Sequence, residues 1–441
     1  QYILKYFPTT ELAIMQRSDI DSIIKHNSHL SESSSELTLN EVDKLKEAAK
    51  ETPVVNLLNS LILKGLKLNA SDMHLEPLEN YSIVRYRVDG VLKSDERIAK
   101  SMELPLITRL KILSDMDIAE KRRPQDGKIE TRISGQDLDI RVSCLPLAIG
   151  ESFVLRFLKK ESLSYNLEAL GMEADVQELI EHDITKTSGV ILLTGPTGSG
   201  KTTTLYSCLS KLNSDKTKII TLEDPVEYQL ENVNQVQVNP EIGFDFAEGL
   251  RSIVRQDPDI IMLGEIRDQS TAKIAMQSAL TGHLVFSTVH TNDAASAYTR
   301  LLDLGVDSFL LDAALLSIIA QRLARKLCSH CCKPALDSKE LLTKYKIETL
   351  VQGFDINLSE SKLQQAVGCD ECGHTGYKGR IALIEYMRCD DDISLLDKSD
   401  AFLVNARRVN KERGFRSLLA DGIVKALKGQ TTIEEVVRVA G

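Results

Sequence analysis

Apolar positions along this chain change their period, and the changes divide it. Residues 53–68 (PVVNLLNSLILKGLKL) carry apolar side chains at helical spacing, with Pro53 suited to a first turn. From Tyr81 the period falls to two: Val84, Tyr86 and Val88 alternate with Arg85 and Arg87, and Asp89-Gly90 marks a hairpin turn. Alternation returns in KIETRISGQDLDIRVSCLP from Lys128 and in ESFVLRFL from Glu151, which predicts a small antiparallel sheet. Beyond it, GVILLT (189–194), KIITL (218–222), DIIMLG (259–264) and LVFST (284–288) are apolar without alternation. Such runs predict strands buried on both faces of a mostly parallel sheet, and ligands of those sheets lie beyond the carboxyl ends of the strands. The polar or glycine-rich residues that follow each run are therefore expected to converge. Two stretches are expected to be linkers: the Ser/Glu-rich residues 30–52 and the polar residues 161–173.

In the alternating region Arg85, Arg87, Arg132, Arg141 and Arg156 are flanked by apolar neighbours, Thr131 being the polar exception. They are expected to project from the face opposite the core. Arginine without lysine at those positions favours forked recognition of carboxylate or phosphate. Arg122 and Arg123 add charge beside a turn.

Composition narrows the function classes. The 441 residues are 42% hydrophobic and 27% charged, enough for two or three domains with their own cores. A net charge of -10 argues against coating nucleic acid by bulk attraction, and 5% aromatic content without Trp leaves few stacking platforms for single strands. No nucleic-acid partner is expected. The nearest approach to a spanning segment, residues 309–326, is interrupted by Asp312, Gln321 and Arg322, so membrane association is expected to be peripheral. Beginning at Gln1 without an initiator Met, the sequence is expected to lack part of its natural N-terminus.

The chemistry lies in the loops. GPTGSGKTT spans Gly195, Pro196, Thr197, Gly198, Ser199, Gly200, Lys201, Thr202 and Thr203, between an apolar run and a helical pattern. Glycines let the backbone wrap phosphates, Lys201 reaches the outer ones, and the Thr202 hydroxyl reaches Mg²⁺. LEDPVE places Glu223 and Glu227 after the second run, and DIIMLGEIRD ends the third at Glu265; either can serve metal-assisted hydrolysis, by polarising water or holding the ion. GHLVFSTVHT supplies His283 and His290, the latter placed to touch a γ-phosphate. Five of eight cysteines fall in two tight groups. Cys328, Cys331, Cys369 and Cys372 form two C-x₂-C pairs that can close a tetrahedral, structural Zn²⁺ site, with Cys332 a spare thiol.

The order of GPTGSGKTT, EDPVE, LRSIVRQDPDIIMLGEIRD and TGHLVFSTVHTNDA resembles the secretion ATPase superfamily of type II secretion and type IV pilus assembly. SDMHLEP, RYRVDGVL, RRPQDGK, DIRVSCLP and GESFVLRFL, with GYKGR after the cysteines, extend the likeness over residues 50–441. The resemblance implies an α/β architecture: a RecA-like P-loop ATPase core (174–326), a smaller α+β, PAS-like N-terminal domain (51–160), a tetracysteine arm (327–380) and a C-terminal helical subdomain (381–441), with 1–50 a remnant of a further domain. It implies ATP and Mg²⁺ at the loop, Glu227 as general base supported by Glu223, and a homohexamer in which Arg85, Arg87, Arg122, Arg123 and Arg141 reach a neighbour's nucleotide. It also implies cytoplasmic domains of inner-membrane secretion or pilus proteins as partners. A pilus-retraction motor and a nucleic-acid-translocating ATPase are the alternatives.

Overall fold

The computed structural model describes residues 39–441 except 134–135, 160–166, 337, 353, 355–357, 359–360 and 400. The chain divides after residue 160 into two units, and each is described by itself.

The first unit is one antiparallel sheet of six strands: β1 (Asp72–Pro77), β2 (Tyr81–Val88), β3 (Val91–Ala99), β4 (Gln125–Ile133), β5 (Gln136–Leu147) and β6 (Gly150–Lys159), in the order β3-β2-β1-β6-β5-β4. Helices Thr52–Lys67 and Lys100–Leu113 pack Leu58, Leu61, Leu106 and Leu110 on one face, against Met73, Leu75, Val84, Ile140 and Phe153. Tyr86 is buried there and its hydroxyl donates to the Leu61 carbonyl at 2.8 Å, so its polar tip is satisfied. The hairpin turn is where the sequence puts it: Asp89 and Gly90 both have positive φ, at 49° and 82°, between paired Val88 and Val91. The linker expected over 30–52 is corrected in its second half, because Leu39–Ala48 is helical; residues 30–38 lie outside the described residues.

The second unit is built on a seven-stranded sheet. Strands β7 (Gly189–Thr194), β8 (Ile219–Glu223), β9 (Asn234–Gln237), β10 (Ile260–Leu263), β11 (Leu284–Val289) and β12 (Leu315–Leu327) are parallel, and β15 (Tyr377–Arg388) closes the edge antiparallel to β12; the order is β15-β12-β7-β11-β10-β8-β9. The four apolar runs are four central strands. Alternate residues enter opposite cores: Val190, Leu192, Ile261 and Leu263 on one face, Ile191, Leu193, Ile260 and Met262 on the other. Burial on both sides removes the alternation that a half-exposed strand would show. Residues 309–326 begin in helix Ser308–Ala314 and continue as β12, and no helix among the described residues is long and apolar enough to cross a membrane.

Between β12 and β15 the chain leaves the sheet and returns. The excursion carries the four cysteines, the two-residue strands β13 (Lys333–Pro334) and β14 (Gln364–Gln365), and helices Ser338–Lys344 and Ile347–Leu350. Its Ile347, Val351 and Leu363 pack on Ile423, Leu427, Ile433 and Val436 of the last two helices, which anchors it. Of the linker expected over 161–173, residues 161–166 lie outside the described ones, while Leu167–Leu170 form a turn of 3₁₀ helix with Leu167 buried.

Candidate nucleotide and metal sites

Because β7, β8, β10 and β11 are parallel neighbours, the loops after them lie along one edge of the sheet. That edge carries residues 195–203, 224–227, 265–267 and 290–293. Thr194 and Thr291 tie two of these loops together, the Thr291 amide donating to the Thr194 hydroxyl at 2.9 Å.

The phosphate loop runs from β7 into helix Lys201–Leu212 through Gly195, Gly198 and Gly200, all at positive φ. A side chain at Gly195 would come within 2.5 Å of the Gln321 carbonyl oxygen, and one at Gly200 within 2.8 Å of Gln321 Nε2, so both glycines are also required by close approach. Pro196, Thr197, Gly198 and Thr202 are exposed, whereas Ser199 and Lys201 are buried. Lys201 Nζ donates to the carbonyls of Gly195 and Pro196 at 2.7 and 3.2 Å. Burial brings its pKa down to about 8; the charge of Glu265 opposes this and that of Arg322 adds to it.

Glu265, just past β10, pairs with Arg267, and its second oxygen lies 3.4 Å from His290 Nε2. Lys201, Glu265 and His290 thus form one electrostatic group. Glu223 ends β8 buried, accepting from the hydroxyls of Tyr206 and Thr221 and from Gln235 Nε2. Glu227 follows in the same loop, half-buried. His283 is elsewhere: it precedes β11, with Nδ1 2.8 Å from the Ser278 carbonyl oxygen, and the six strand residues 284–289 separate it from His290 by about 20 Å. Within one chain, the structure does not bring His283 to the phosphate loop.

Two residues of this edge carry no motif. Gln321 and Arg322 lie on β12 beside the loop, Gln321 bridging Ser199 to Thr204 and Arg322 reaching Asn292. Their signal in the sequence is a polar pair interrupting an apolar run.

The four cysteines converge. Their sulfurs lie within 4.8 Å of one another, with 3.8–3.9 Å for Cys328–Cys369, Cys331–Cys372 and Cys369–Cys372. Tetrahedral coordination at about 2.3 Å per Zn–S bond puts sulfurs about 3.8 Å apart, so the set fits zinc. Backbone amides of Gly368, Cys369 and Gly376 donate to the sulfurs of Cys331 and Cys372, which favours thiolate. Cys332 is not among the four.

In the first unit the arginines do project opposite the core, and the pairing aligns Arg87, Asp72, Arg156, Arg141 and Lys128 in one row across five strands. Acids share the face. Asp72 takes Arg156 Nε at 3.0 Å and Arg87 Nε at 3.7 Å, Glu76 takes Arg85, and Glu120 takes Arg122 at 3.5 Å; Arg123 is exposed. The period-two run Asp72-Met73-His74-Leu75-Glu76 was the legible sign of these acids.

A doubly covered parallel sheet with a phosphate loop at its carboxyl edge defines a P-loop nucleotide-binding protein. The model of the family described as type II/IV secretion system protein matches residues 47–438, and the chain belongs to that family. It is 46% identical over 399 residues to type II secretion system protein E of Xanthomonas campestris, covering 90% of this chain and 69% of that one. It is 43% identical over 398 residues to type II secretion system ATPase E of Vibrio cholerae, covering 90% and 77%. Among solved structures, the Legionella pneumophila ATPase DotB superposes with a TM-score of 0.63 at 20% identity, over 87% of this chain and 94% of that one, which is a likeness of fold. The pilus retraction motor PilT with bound ADP gives 0.55 at 25% identity, over 86% and 96%.

Proposed function

We propose that this chain is the ATP-hydrolysing subunit of a homohexameric motor that drives pseudopilus or pilus assembly and protein secretion across the outer membrane. What carries the reading is the grouping of Lys201, Glu265 and His290 at the edge of the phosphate loop, in a member of a secretion family. ATP with Mg²⁺ supplies the phosphoanhydride and the neutralising cation. In this reading residues 195–203 wrap the phosphates, Lys201 bonds the outer ones, and Thr202 holds the metal. Glu265 holds the metal's water shell, His290 reports the terminal phosphate, and Glu227 accepts the proton of the attacking water. Glu223, enclosed by three donors, acts by fixing the strand end from which Glu227 projects. Arg85, Arg87, Arg122, Arg123 and Arg141 complete the site of a neighbouring subunit, Arg85, Arg87 and Arg122 exchanging their carboxylate partners for phosphate. Cys328, Cys331, Cys369 and Cys372 hold a structural Zn²⁺. The ring works at the inner membrane, held there by the cytoplasmic domains of secretion or pilus proteins.

A retraction motor is the second reading, favoured by the likeness to PilT. The higher identity to type II secretion proteins E supports the assembly reading. Lys201→Ala and Glu265→Gln in the full-length protein are expected to lower the ATPase rate by about 100-fold or more and to abolish secretion. Unchanged turnover and secretion in Lys201→Ala would sink the proposal.

A further inference from the structure

Strand β12 pairs in parallel with β7 as far as Ala320 opposite Thr194, and then runs on while β7 turns into the phosphate loop. Residues 321 and 322 therefore lie beside the loop, and strand alternation sends them to opposite faces. Gln321 is 1% exposed. Its Oε1 accepts from the Thr204 hydroxyl at 2.8 Å, and its Nε2 donates to the Ser199 carbonyl at 2.8 Å, so one amide spans the loop and its helix. In a trans peptide the Ser199 carbonyl and the Gly200 N–H point in opposite directions. Holding the carbonyl on Gln321 aims that N–H away from the strand. Arg322 is 9% exposed; Nη1 donates to the Gln321 carbonyl at 3.1 Å, and Nη2 to Asn292 at 2.9 Å (carbonyl) and 3.3 Å (Oδ1). Asn292 lies two residues after His290.

We propose that Gln321 and Arg322 are positioning residues with separate tasks: Gln321 sets the phosphate loop for nucleotide binding, and Arg322 ties the strand that flanks that loop to the His290 loop for turnover. The proposal rests on the reading of residues 195–203 as the nucleotide site.

The full-length protein and its variants are titrated with Mg·ADP and with Mg and a non-hydrolysable ATP analogue, and kcat and KM are measured for ATP. Gln321→Glu keeps an acceptor for Thr204 but faces the Ser199 carbonyl with a carboxylate oxygen. It is expected to weaken both nucleotides at least about tenfold, more than Gln321→Ala does. Arg322→Lys keeps the charge but one ammonium cannot span both acceptors; it is expected to leave both Kd values within about twofold while kcat falls about tenfold, and Asn292→Ala, which keeps the carbonyl acceptor, is expected to lower kcat less. Combining Arg322→Lys with Asn292→Ala is expected to cost no more than Arg322→Lys alone. Wild-type affinity in Gln321→Glu, or equal changes in Kd and kcat in Arg322→Lys, would overturn the proposal. Should Gln321→Glu fail to fold, Gln321→Ala carries the same test. Failure of the wild-type protein to bind either nucleotide would instead defeat the site reading itself.

Discussion

At Lys201 a buried ammonium faces two backbone carbonyls, and this predicts how nucleotide binding depends on pH. Its pKa is about 8 in the folded chain, below the ordinary lysine value, with burial the leading cause. A phosphate alongside favours the protonated form and raises that pKa. Affinity is thus at its full value below about pH 8 and declines as pH rises through 8, by up to about tenfold per unit until the bound-state pKa is passed. Titrations with ADP between pH 7 and 9.5 check this. Lys201→Arg, whose guanidinium stays charged, is expected to give a flat profile at lower affinity, and a flat wild-type profile would refute it. Lys201 itself was legible, because the loop motif is local and its chemistry follows from nine consecutive residues. Gln321 was not, since its partner Thr204 is 117 positions away and nothing near it in the sequence announces the contact.

At the scale of the element, β12 is the strand that relates the two chemical sites. It carries the flank of the phosphate loop at Gln321 and an ion pair from Arg325 to the buried Glu435 at 2.7 Å, and Cys328 follows its last residue. Two donors from Arg438 and those of Arg325 outweigh burial and hold the Glu435 carboxyl down to about 2, so the last helix is pinned to this strand. The protein is expected to bind one Zn²⁺ per chain, and metal analysis of the purified protein checks this. Cys372→Ser is expected to lose the metal and Cys332→Ser to keep it. Loss of the metal is expected to lower the melting temperature, by about 2–4 °C for each kcal/mol of stability lost in a unit of this size. The paired spacing made the ligands legible. What it left open, whether Cys332 competes, is answered by the sulfurs that converge: those of Cys328, Cys331, Cys369 and Cys372 lie within 4.8 Å of one another, and that of Cys332 is not among them.

At the scale of the whole molecule the prediction concerns sharing of sites between subunits. If Lys201 of one subunit and Arg87 of a neighbour serve one nucleotide, Lys201→Ala and Arg87→Ala proteins are each inactive alone. Mixed in equal amounts they regain activity, because about a quarter of randomly formed interfaces contain both intact groups. ATPase rate against mixing ratio checks this, with mixed rings verified by differently tagged subunits. No recovery in verified mixed rings would remove the arginines from the site.

Much of this protein followed from sequence alone. Burial on two faces leaves unbroken apolar runs, half-burial leaves alternation, and a phosphate loop or a thiolate pair needs neighbours along the chain; each leaves a local trace. The tertiary structure decided what depends on register and on chain crossings. It put Asp72 between Arg87 and Arg156, and set β12 beside the phosphate loop. Such contacts join residues tens to hundreds of positions apart, and only the completed sheet fixes which of them meet.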